Sequence, residues 1–350
     1  MPTRRALLLL GILVAAGSAF LGVGCALSAP RYHGPRSDHF DGKRFHSAEP
    51  LDHGFGDFLK WITHRERGPW RDFTDTPPGG KPPERVDAGA LRITFVNHAT
   101  VLIQMDGVNI LTDPVWSKRV SPVSWAGPRR HRPPGIRFED LPPIDAVIVS
   151  HNHYDHMDVP TLRRLASAHR PTVFVGLGNT KFLKRAEVSG ARDLDWWESA
   201  PLGDGVTVTA VPARHFSTRG FFDRDRTLWC GFVVQGPSGS VYFAGDTGWG
   251  SHFEKIGRRF PNLSVALLPI GAYRPRWFMA PAHIDPEEAV RAHETIGAST
   301  SIAIHFGTFA QADDGEMEPI QELEAALARR ADPKPRFLLL DNGEAMDVRQ

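Results

Sequence analysis

Three histidines and one aspartate fall within six consecutive positions, in the segment HNHYDH at residues 151–156. The segment follows the apolar run IDAVIVS, so we expect its side chains at the end of a buried strand. Imidazole and carboxylate groups suit a borderline divalent ion such as zinc. His151 and His153 are two residues apart and can aim their rings the same way, whereas Asp155 and His156 turn toward a second point. The pattern favours a metal site over a polar surface loop.

Three further candidate ligands each follow an apolar strand. His215 ends VTAVPARH, Asp246 ends VYFAGD and His305 ends SIAIH. A single histidine is more often a surface or core residue, and an aspartate before Thr-Gly is usually a turn residue. Their combination with HNHYDH favours a site for two metals. Two metals about 3.5–4 Å apart can activate water and clamp a phosphoryl or carbonyl oxygen, which is the chemistry of hydrolysis.

Short apolar strands alternate with amphipathic helices from residue 90 onward, and this predicts a layered α/β domain. Residues 286–296 are predicted to form a helix with strong end signals. Asp285 is the expected N-cap, Glu288 completes a capping box, and Gly297 ends the helix. Another helix is expected in EPIQELEAALARR. Because the candidate ligands lie where strands end, the sheets are expected to position them.

The composition excludes some classes of function. The 350 residues carry 41 basic and 40 acidic side chains, a formal net charge of +1, and no basic run. No nucleic-acid partner is therefore expected. The two cysteines, Cys25 and Cys230, suggest neither a disulfide framework nor a cysteine zinc site, and Cys230 is predicted to be a core residue.

The first 30 residues are predicted to form an export signal or a membrane anchor. Arg4 and Arg5 precede an uncharged stretch at residues 6–29, longer than the about 20 apolar residues that span a bilayer. Because positive residues stay cytoplasmic, the rest is expected in the cell envelope, outside the cytoplasm, periplasmic or anchored in the inner membrane. Whether the segment is cleaved, lipidated or retained is left open.

Two regions follow the N-terminal segment. Residues 31–89 are rich in Pro, Gly, His and charge, and are expected to form an extended arm that wraps the main domain. Residues 90–350 are predicted to form that main domain.

HNHYDH, a distant histidine, GDTG and HFGTF together resemble the metallo-β-lactamase superfamily over roughly residues 90–345. The resemblance implies a four-layer αββα sandwich with a site for two Zn²⁺ ions, or another divalent metal, at one edge of its two sheets. It implies that Asp155 also orients the attacking water, and that Asp113 in LTDP holds a ligand imidazole rather than serving only as a turn residue. The implied ligands are His151, His153 and His215 for the first metal, Asp155, His156 and His305 for the second, and Asp246 as a bridge.

Several longer stretches narrow the resemblance. FVNHATVLIQMDGVNILTDP, GDTGW, LPIGAYRPRWFM and HIDPEEAV resemble the phospholipases D that hydrolyse N-acyl-phosphatidylethanolamine. A zinc-dependent phosphodiesterase is implied, acting on a phospholipid at a membrane surface and releasing phosphatidic acid and an N-acylethanolamine. In this family His283 lies beside the metals and contacts the substrate phosphate. Arg274, Arg276 and Trp277 would lie next to it, the arginines suited to phosphate and the tryptophan to an acyl chain. The alternative is a packed Pro-rich loop.

Two other functions are weighed against this one. A lactonase of the sugar-phosphate type shares the ligand set and an opening near HATVLI, but the aromatic loop argues against a small polar sugar. A catalytically silent zinc-binding envelope protein is disfavoured, because structural zinc sites are normally closed by four ligands. The sequence leaves open both a monomer and a homodimer.

Overall fold

The computed structural model describes residues 28–51, 53–203 and 205–348 of the chain. The helices in these ranges, numbered in chain order, are α1 (Phe55–Thr63), α2 (Val159–Ala168), α3 (Asn179–Arg185), α4 (His252–Arg259), α5 (Arg276–Met279), α6 (Pro286–Ile296) and α7 (Glu318–Ala328), with a short 3-10 helix at Phe138–Asp140. The strands are β1 (Leu91–Asn97), β2 (Thr100–Met105), β3 (Val108–Thr112), β4 (Ala146–Val149), β5 (Thr172–Gly176), β6 (Ala191–Leu194), β7 (Ser199–Pro201), β8 (Thr207–Val211), β9 (Gly231–Gly236), β10 (Gly239–Phe243), β11 (Val265–Pro269), β12 (Thr300–Ile304), β13 (Phe337–Leu338) and β14 (Ala345–Val348).

The strands form two mixed sheets. The N-terminal sheet has the order β14-β1-β2-β3-β4-β5-β6, and the C-terminal sheet has the order β13-β12-β11-β10-β9-β8-β7. Strands β3 to β6 run parallel, as do β10 to β13. Because neighbouring parallel strands end at the same edge, residues that follow them are brought together there.

The main core lies between the two sheets. Phe95 and Ile148 of the N-terminal sheet belong to the same buried apolar cluster as Phe232 and Phe243 of the C-terminal sheet, and Cys230 is buried in it as predicted. A second cluster joins the other face of the N-terminal sheet to α2 and α3. On the C-terminal side, α6 packs against β11 and contacts α4 and α7. The layer order is therefore helix, sheet, sheet, helix, and the predicted αββα sandwich is confirmed.

Helix α6 begins and ends where the sequence predicts. The Asp285 carboxylate accepts a hydrogen bond from Glu288 N at 2.8 Å, and the Glu288 carboxylate accepts one from Asp285 N at 3.1 Å. Gly297 ends the helix with φ of 68°, a left-handed conformation that costs glycine little. This capping box fixes the chain direction just after His283.

The predicted arm, residues 31–89, is mostly irregular and packs on the main domain. Trp61 Nε1 donates to Asp313 at 3.1 Å, and the Arg71 guanidinium pairs with Glu316 at 2.7 Å. It also contains α1, which the sequence reading did not predict. The predicted signal or anchor falls outside the described residues apart from residues 28–30. Across the described ranges, no helix is both long enough and apolar enough to span a bilayer.

Candidate metal centre and active site

The predicted ligands meet at one edge of the two sheets. His151 lies two residues beyond β4, Asp246 follows β10, and His305 immediately follows β12. His215 comes four residues after β8. All seven predicted ligands fall into groups whose coordinating atoms lie within 4.8 Å of one another.

Three imidazoles form the first group. The distances to His153 Nδ1 are 2.8 Å from His151 Nε2 and 3.3 Å from His215 Nε2. The remaining nitrogens orient the outer two rings, because His151 Nδ1 lies 2.9 Å from Ser150 Oγ and His215 Nδ1 donates to the Ala282 carbonyl at 3.0 Å. Hydrogen bonds of this kind hold metal-binding histidines in one tautomer and one orientation.

Asp155, His156 and His305 form the second group. Asp155 Oδ2 lies 3.0 Å from His156 Nε2 and 3.3 Å from His305 Nε2. Asp246 reaches both groups, since its carboxylate lies 3.2 Å from His156 and 3.9 Å from His215. This central position fits the bridging role that the resemblance implies for Asp246.

His98 is a member of the second group that the sequence reading missed. It lies in the turn between β1 and β2, is 1 % exposed, and has its Nε2 2.9 Å from Asp155 Oδ2. Its φ of 48° is unusual for a residue other than glycine. The backbone N–H of His305 donates to the His98 carbonyl at 2.7 Å, so the turn is tied to the end of β12. The feature of the sequence that could have identified His98 is a histidine between two apolar strands of a predicted hairpin.

Asp113 orients ligands of both groups. Its Oδ2 accepts from His156 Nδ1 at 2.6 Å and from Ser150 Oγ at 2.6 Å, and Ser150 in turn contacts His151. Asp113 follows β3 and is fully buried. Asp113 therefore holds the imidazole of a candidate ligand, which fits the role that the resemblance implies for it.

A cavity of about 560 Å³ opens onto these groups. At one end it is lined by His153, Asp155, Asp246 and His305. Its walls are largely apolar and come from α1, the segment after His215, α5 and the residues that follow α5. The apolar and aromatic wall residues are Leu51, Phe58, Trp61, Phe216, Ala272, Phe278, Met279, Pro281, Ala282 and Ala312. An open cavity over the ligands is a feature of catalytic rather than structural metal sites.

Comparison with known proteins decides the family. The family model described as a β-lactamase superfamily domain matches residues 108–306, more than half of the chain. The chain belongs to the metallo-β-lactamase superfamily. It is therefore a metal-dependent hydrolase, and its candidate ligands occupy the edge of the sandwich.

Two curated relatives are N-acyl-phosphatidylethanolamine-hydrolysing phospholipases D. The protein from Caenorhabditis elegans is 40 % identical over 268 residues, which are 73 % of this chain and 75 % of that protein. The mitochondrial protein from Saccharomyces cerevisiae is 32 % identical over 237 residues, which are 66 % of this chain and 50 % of that protein. Among solved structures, the metallo hydrolase Igni18 from Ignicoccus hospitalis superposes with a TM-score of 0.55 at 22 % identity, over 75 % of this chain and 99 % of that one. The structural likeness supports the superfamily fold.

The atoms of this superfamily site fit a bound cation. His156 Nε2 and Asp246 Oδ1 are buried and lack a hydrogen-bond partner among the described residues, although each has a group of opposite charge about 3 Å away. The three nitrogens of the first group also face one another, an arrangement that is unfavourable unless something positive lies between their lone pairs. Both observations are expected of donors aimed at a shared ion.

The protonation states favour the same interpretation. Burial lowers the pKa of His151 and of His215 well below 6.5, and that of His153 to about 4, so these imidazoles are neutral as ligands must be. Burial alone would raise the pKa of Asp246, but positive charge on His156 and His305 holds that pKa well below its usual value. The first group thus provides neutral imidazoles. In the second group burial alone would lower the pKa of His156 and of His305, but the carboxylates of Asp155 and Asp246 raise it well above 6.5 for His156 and to about 9 for His305. Protons therefore supply there the positive charge that a bound cation would supply.

His283 lies beside the superfamily ligands, as the sequence predicts. It lines the cavity, and its Nδ1 is 3.8 Å from Asp246 Oδ2. Its ring centroid is 5.2 Å from that of His215. Burial lowers the pKa of His283 to about 4, so the ring is neutral. Its side chain keeps 14 % exposure toward the cavity, which leaves it accessible to a substrate.

The two arginines predicted to bind substrate are placed elsewhere. Arg274 pairs with Glu322 at 2.5 Å and with Glu318 at 3.4 Å. Arg276 pairs with Glu288 at 2.7 Å and donates to the His283 carbonyl at 2.8 Å. Neither lines the cavity over the ligands. The prediction that these arginines contact the substrate phosphate is therefore wrong for this structure. Both form ion pairs within the fold, and Arg276 also holds the backbone of His283 in place.

Trp277 lies beside the cavity rather than in its wall. It is 45 % exposed, and Lys60 Nζ lies 4.7 Å from the centroid of its ring. Its ring centroid is 5.5 Å from that of Phe278, which does line the cavity. Trp277 therefore joins α1 to α5 at the rim.

Proposed function

We propose that this metal-dependent hydrolase is a phospholipase D-type phosphodiesterase that cleaves N-acyl-phosphatidylethanolamine, or a related phospholipid, to phosphatidic acid and an N-acylethanolamine. The observation that carries the proposal is one continuous cavity in which a His/Asp metal-ligand cluster meets apolar and aromatic walls. A phosphodiester with an attached acyl chain matches both parts. The two curated relatives named for this activity support the same substrate class.

The apolar walls favour a lipid over a small polar substrate. Phe58 and Trp61 of α1 face the cavity together with Phe278 and Met279 of α5. A buried methylene group is stabilised by about 0.8 kcal/mol, so such walls favour an acyl chain. A sugar phosphate would leave these surfaces uncovered, which disfavours the lactonase alternative. The open cavity likewise disfavours a silent zinc-binding protein.

Two Zn²⁺ ions are the proposed cofactors. His151, His153 and His215 would hold one ion, Asp155, His156 and His305 the other, with Asp246 between them. Bound divalent metals supply Lewis acidity at the phosphoryl group and a water-derived nucleophile at neutral pH. Metal analysis of the purified protein should give about two zinc-like ions per chain, whereas full activity without metal would contradict the assignment.

The chain's own side chains orient the reactants. Asp155 would accept a hydrogen bond from the attacking water. As the water oxygen bonds to phosphorus, the bond from phosphorus to the ethanolamine oxygen breaks, and the proton that the water loses ends on that oxygen, which leaves as the hydroxyl of the N-acylethanolamine. His283 would donate a hydrogen bond to a phosphoryl oxygen as negative charge builds there. Both residues line the cavity, so both can reach a phosphodiester bound in it.

A membrane surface is the proposed site of action. Leu59 and Ile62 of α1 are 49 % and 44 % exposed, and Trp277, whose ring contacts Lys60 of the same helix, is 45 % exposed. Phe58 and Trp61 of the same helix line the cavity, so the exposed side chains of α1 are its neighbours along the helix, and we expect a lipid to enter from this side. Lys60 on the same helix would favour an anionic surface.

The decisive experiment is mass analysis of lipids after the zinc-loaded protein is incubated with mixed phospholipids that include N-acyl-phosphatidylethanolamine. Release of phosphatidic acid and N-acylethanolamine is expected. Bis-p-nitrophenyl phosphate and a panel of lactones separate the alternatives. Turnover of lactones alone would identify the lactonase, and turnover of neither would leave the silent zinc-binding protein.

The cell envelope is the proposed location, with the main domain outside the cytoplasm. This proposal rests on the position of Arg4 and Arg5 before the apolar run at residues 6–29, because positive residues next to such a run stay in the cytoplasm. A reporter that is active only outside the cytoplasm, fused after Gln350, should be active. Activity of a cytoplasmic reporter alone would reverse the orientation.

A further inference from the structure

One arginine side chain lines the cavity without donating a hydrogen bond to another described residue. Arg224 lies in the segment that connects His215 to β9, and among the lining residues in the described ranges it alone carries a permanent positive charge. Its guanidinium carbon is 4.4 Å from the centroid of the Phe216 ring. The Phe216 ring centroid is in turn 4.6 Å from that of His153 and 4.8 Å from that of His215. The guanidinium is therefore one aromatic ring away from the metal ligands.

The N–H groups of Arg224 are available to a ligand. Within the described part of the chain its polar partner is Asp225, at 3.6 Å from Nε, which is beyond hydrogen-bond range. The side chain is 44 % exposed. By contrast, Arg219 in the same segment is half-buried and donates to the carbonyls of Asn152 and Met157. Arg224 is thus positioned by stacking on Phe216, and its donors remain directed to solvent or substrate.

The segment that carries Arg224 is ordered by its neighbour Asp223. This fully buried carboxylate accepts hydrogen bonds from Arg219 N at 3.0 Å, Gly220 N at 2.8 Å and Ala29 N at 2.7 Å. The Arg226 N–H also donates to the Asp223 carbonyl at 3.0 Å. A cation on such a braced turn is held in place before the substrate arrives, which lowers the entropy lost on binding.

We propose that Arg224 reads the headgroup of the phospholipid, donating hydrogen bonds to the amide carbonyl of an N-acylated ethanolamine and repelling headgroups that end in an ammonium. The proposal rests on the phospholipase D function proposed above. The amide oxygen is six bonds from phosphorus, about 6 Å when extended, so a phosphoryl group at the candidate metal ligands would bring it near the Phe216 ring over which Arg224 lies. N-acylation replaces the ammonium of phosphatidylethanolamine by a neutral hydrogen-bond acceptor, and a guanidinium distinguishes the two by charge.

The test compares N-acyl-phosphatidylethanolamine with phosphatidylethanolamine in the same neutral detergent micelles. The wild-type protein should prefer the N-acylated lipid, and Arg224→Gln should reduce the ratio of the two kcat/KM values roughly tenfold, the order expected for a charge contact that water partly screens. Arg224→Glu should reduce the ratio further, because its carboxylate attracts the ammonium. Each ratio is measured within one protein preparation, so partial misfolding cancels.

Arg226→Gln is the matched control. It removes the same charge from the same segment, but Arg226 does not line the cavity, so the ratio should stay at the wild-type value. A protein that cleaves N-acyl-phosphatidylethanolamine while both Arg224 variants keep the wild-type ratio would overturn the headgroup role and leave the phospholipase function intact. A wild-type protein that cleaves neither lipid and does not turn over bis-p-nitrophenyl phosphate would instead overturn the proposed function, and the headgroup role with it.

Discussion

Asp113 accepts a hydrogen bond from Nδ1 of His156 at 2.6 Å, and both side chains are completely buried. Through Ser150 the same carboxylate also supports His151, so one aspartate orients an imidazole in each metal-ligand group. We therefore expect Asp113→Asn to weaken metal binding about 10- to 100-fold, as is typical when such a partner is removed. Competition with a chelator would measure the affinity.

Asp106→Asn is the control for that experiment. Asp106 is also buried and accepts hydrogen bonds from Ser238 and Gly89, but it lies outside the metal-ligand groups. The Asp106→Asn substitution should lower thermal stability and leave metal affinity unchanged. Equal metal affinity in the wild type and in Asp113→Asn would show that the aspartate does not support the ligands.

His98→Ala should lower metal occupancy and hydrolytic turnover together. The variant removes the ring whose Nε2 lies 2.9 Å from Asp155 Oδ2. The carboxylate of Asp155 then loses the partner that holds it in position in the second group. Metal content per chain and turnover of bis-p-nitrophenyl phosphate are the measurements. His293→Gln provides the comparison, because His293 is a buried histidine that contacts Ser301 outside the cluster. Unchanged metal content and turnover in His98→Ala would show that His98 only packs beside the candidate metal centre and does not support it.

His283→Gln and His156→Ala should fail in different ways. If His283 stabilises charge on the phosphoryl oxygens, its replacement should keep both metals and cost about 100- to 1,000-fold in turnover. His156→Ala should lose metal as well as activity, since it removes a ligand. Near-full turnover of His283→Gln would make the residue a bystander, and loss of metal from it would make His283 a ligand.

The arm is fastened by a pH-dependent contact at His39. The His39 ring lies 2.6 Å from Asp38 and 2.8 Å from Asp195, which follows β6. Burial alone would lower the pKa of His39, but the hydrogen bonds to Asp195 and Asp38 raise it above 6.5. A raised pKa stabilises the folded protein fully below the unfolded pKa, and the stabilisation is lost as pH rises through the folded pKa. The difference in Tm between the wild type and His39→Gln should therefore shrink as pH increases above 6.5; a constant difference would contradict it.

The exposed apolar side chains of α1 should matter only for lipid in a bilayer. Leu59→Asp combined with Ile62→Asp should reduce turnover of N-acyl-phosphatidylethanolamine in vesicles at least about tenfold, because two large apolar side chains no longer enter the lipid surface. Turnover of soluble bis-p-nitrophenyl phosphate by the same variant should be unchanged. An equal loss on both substrates would show that α1 supports the site rather than the membrane contact.

The features that sequence predicts well here are local or periodic. The capping box of Asp285 and Glu288 depends on residues three apart, and it appears as expected. The seven candidate metal ligands could be expected at one place because they follow apolar strands, and strands that run in the same direction end at a common edge. Helix α1 was missed because it begins after Gly54 in a segment rich in Pro and Gly, where the usual N-terminal signal is absent.

The remaining features depend on long-range contacts. Nothing near His98 reveals that Asp155, 57 positions later, will lie 2.9 Å from it. The roles of the arginines are decided in the same way. Arg274 has aromatic neighbours in the sequence, but in the folded chain its guanidinium forms ion pairs with Glu318 and Glu322 of α7. Arg224 has only the longer contact to Asp225, at 3.6 Å, among the described residues and lines the cavity, which only the folded chain could show.

The hydrogen bond from Ala29 N to Asp223 has a consequence for substrate search. It fastens the first described residues to the turn that presents Arg224, at the rim of the cavity. If residues 1–27 attach the protein to a bilayer, as proposed, the contact of Ala29 with this turn comes two positions after that segment in the sequence. Protein and lipid would then meet by diffusion in the plane of the membrane. The surface density of the substrate would set how often they meet, because attachment to the same bilayer gives the lipid a high effective concentration at the cavity.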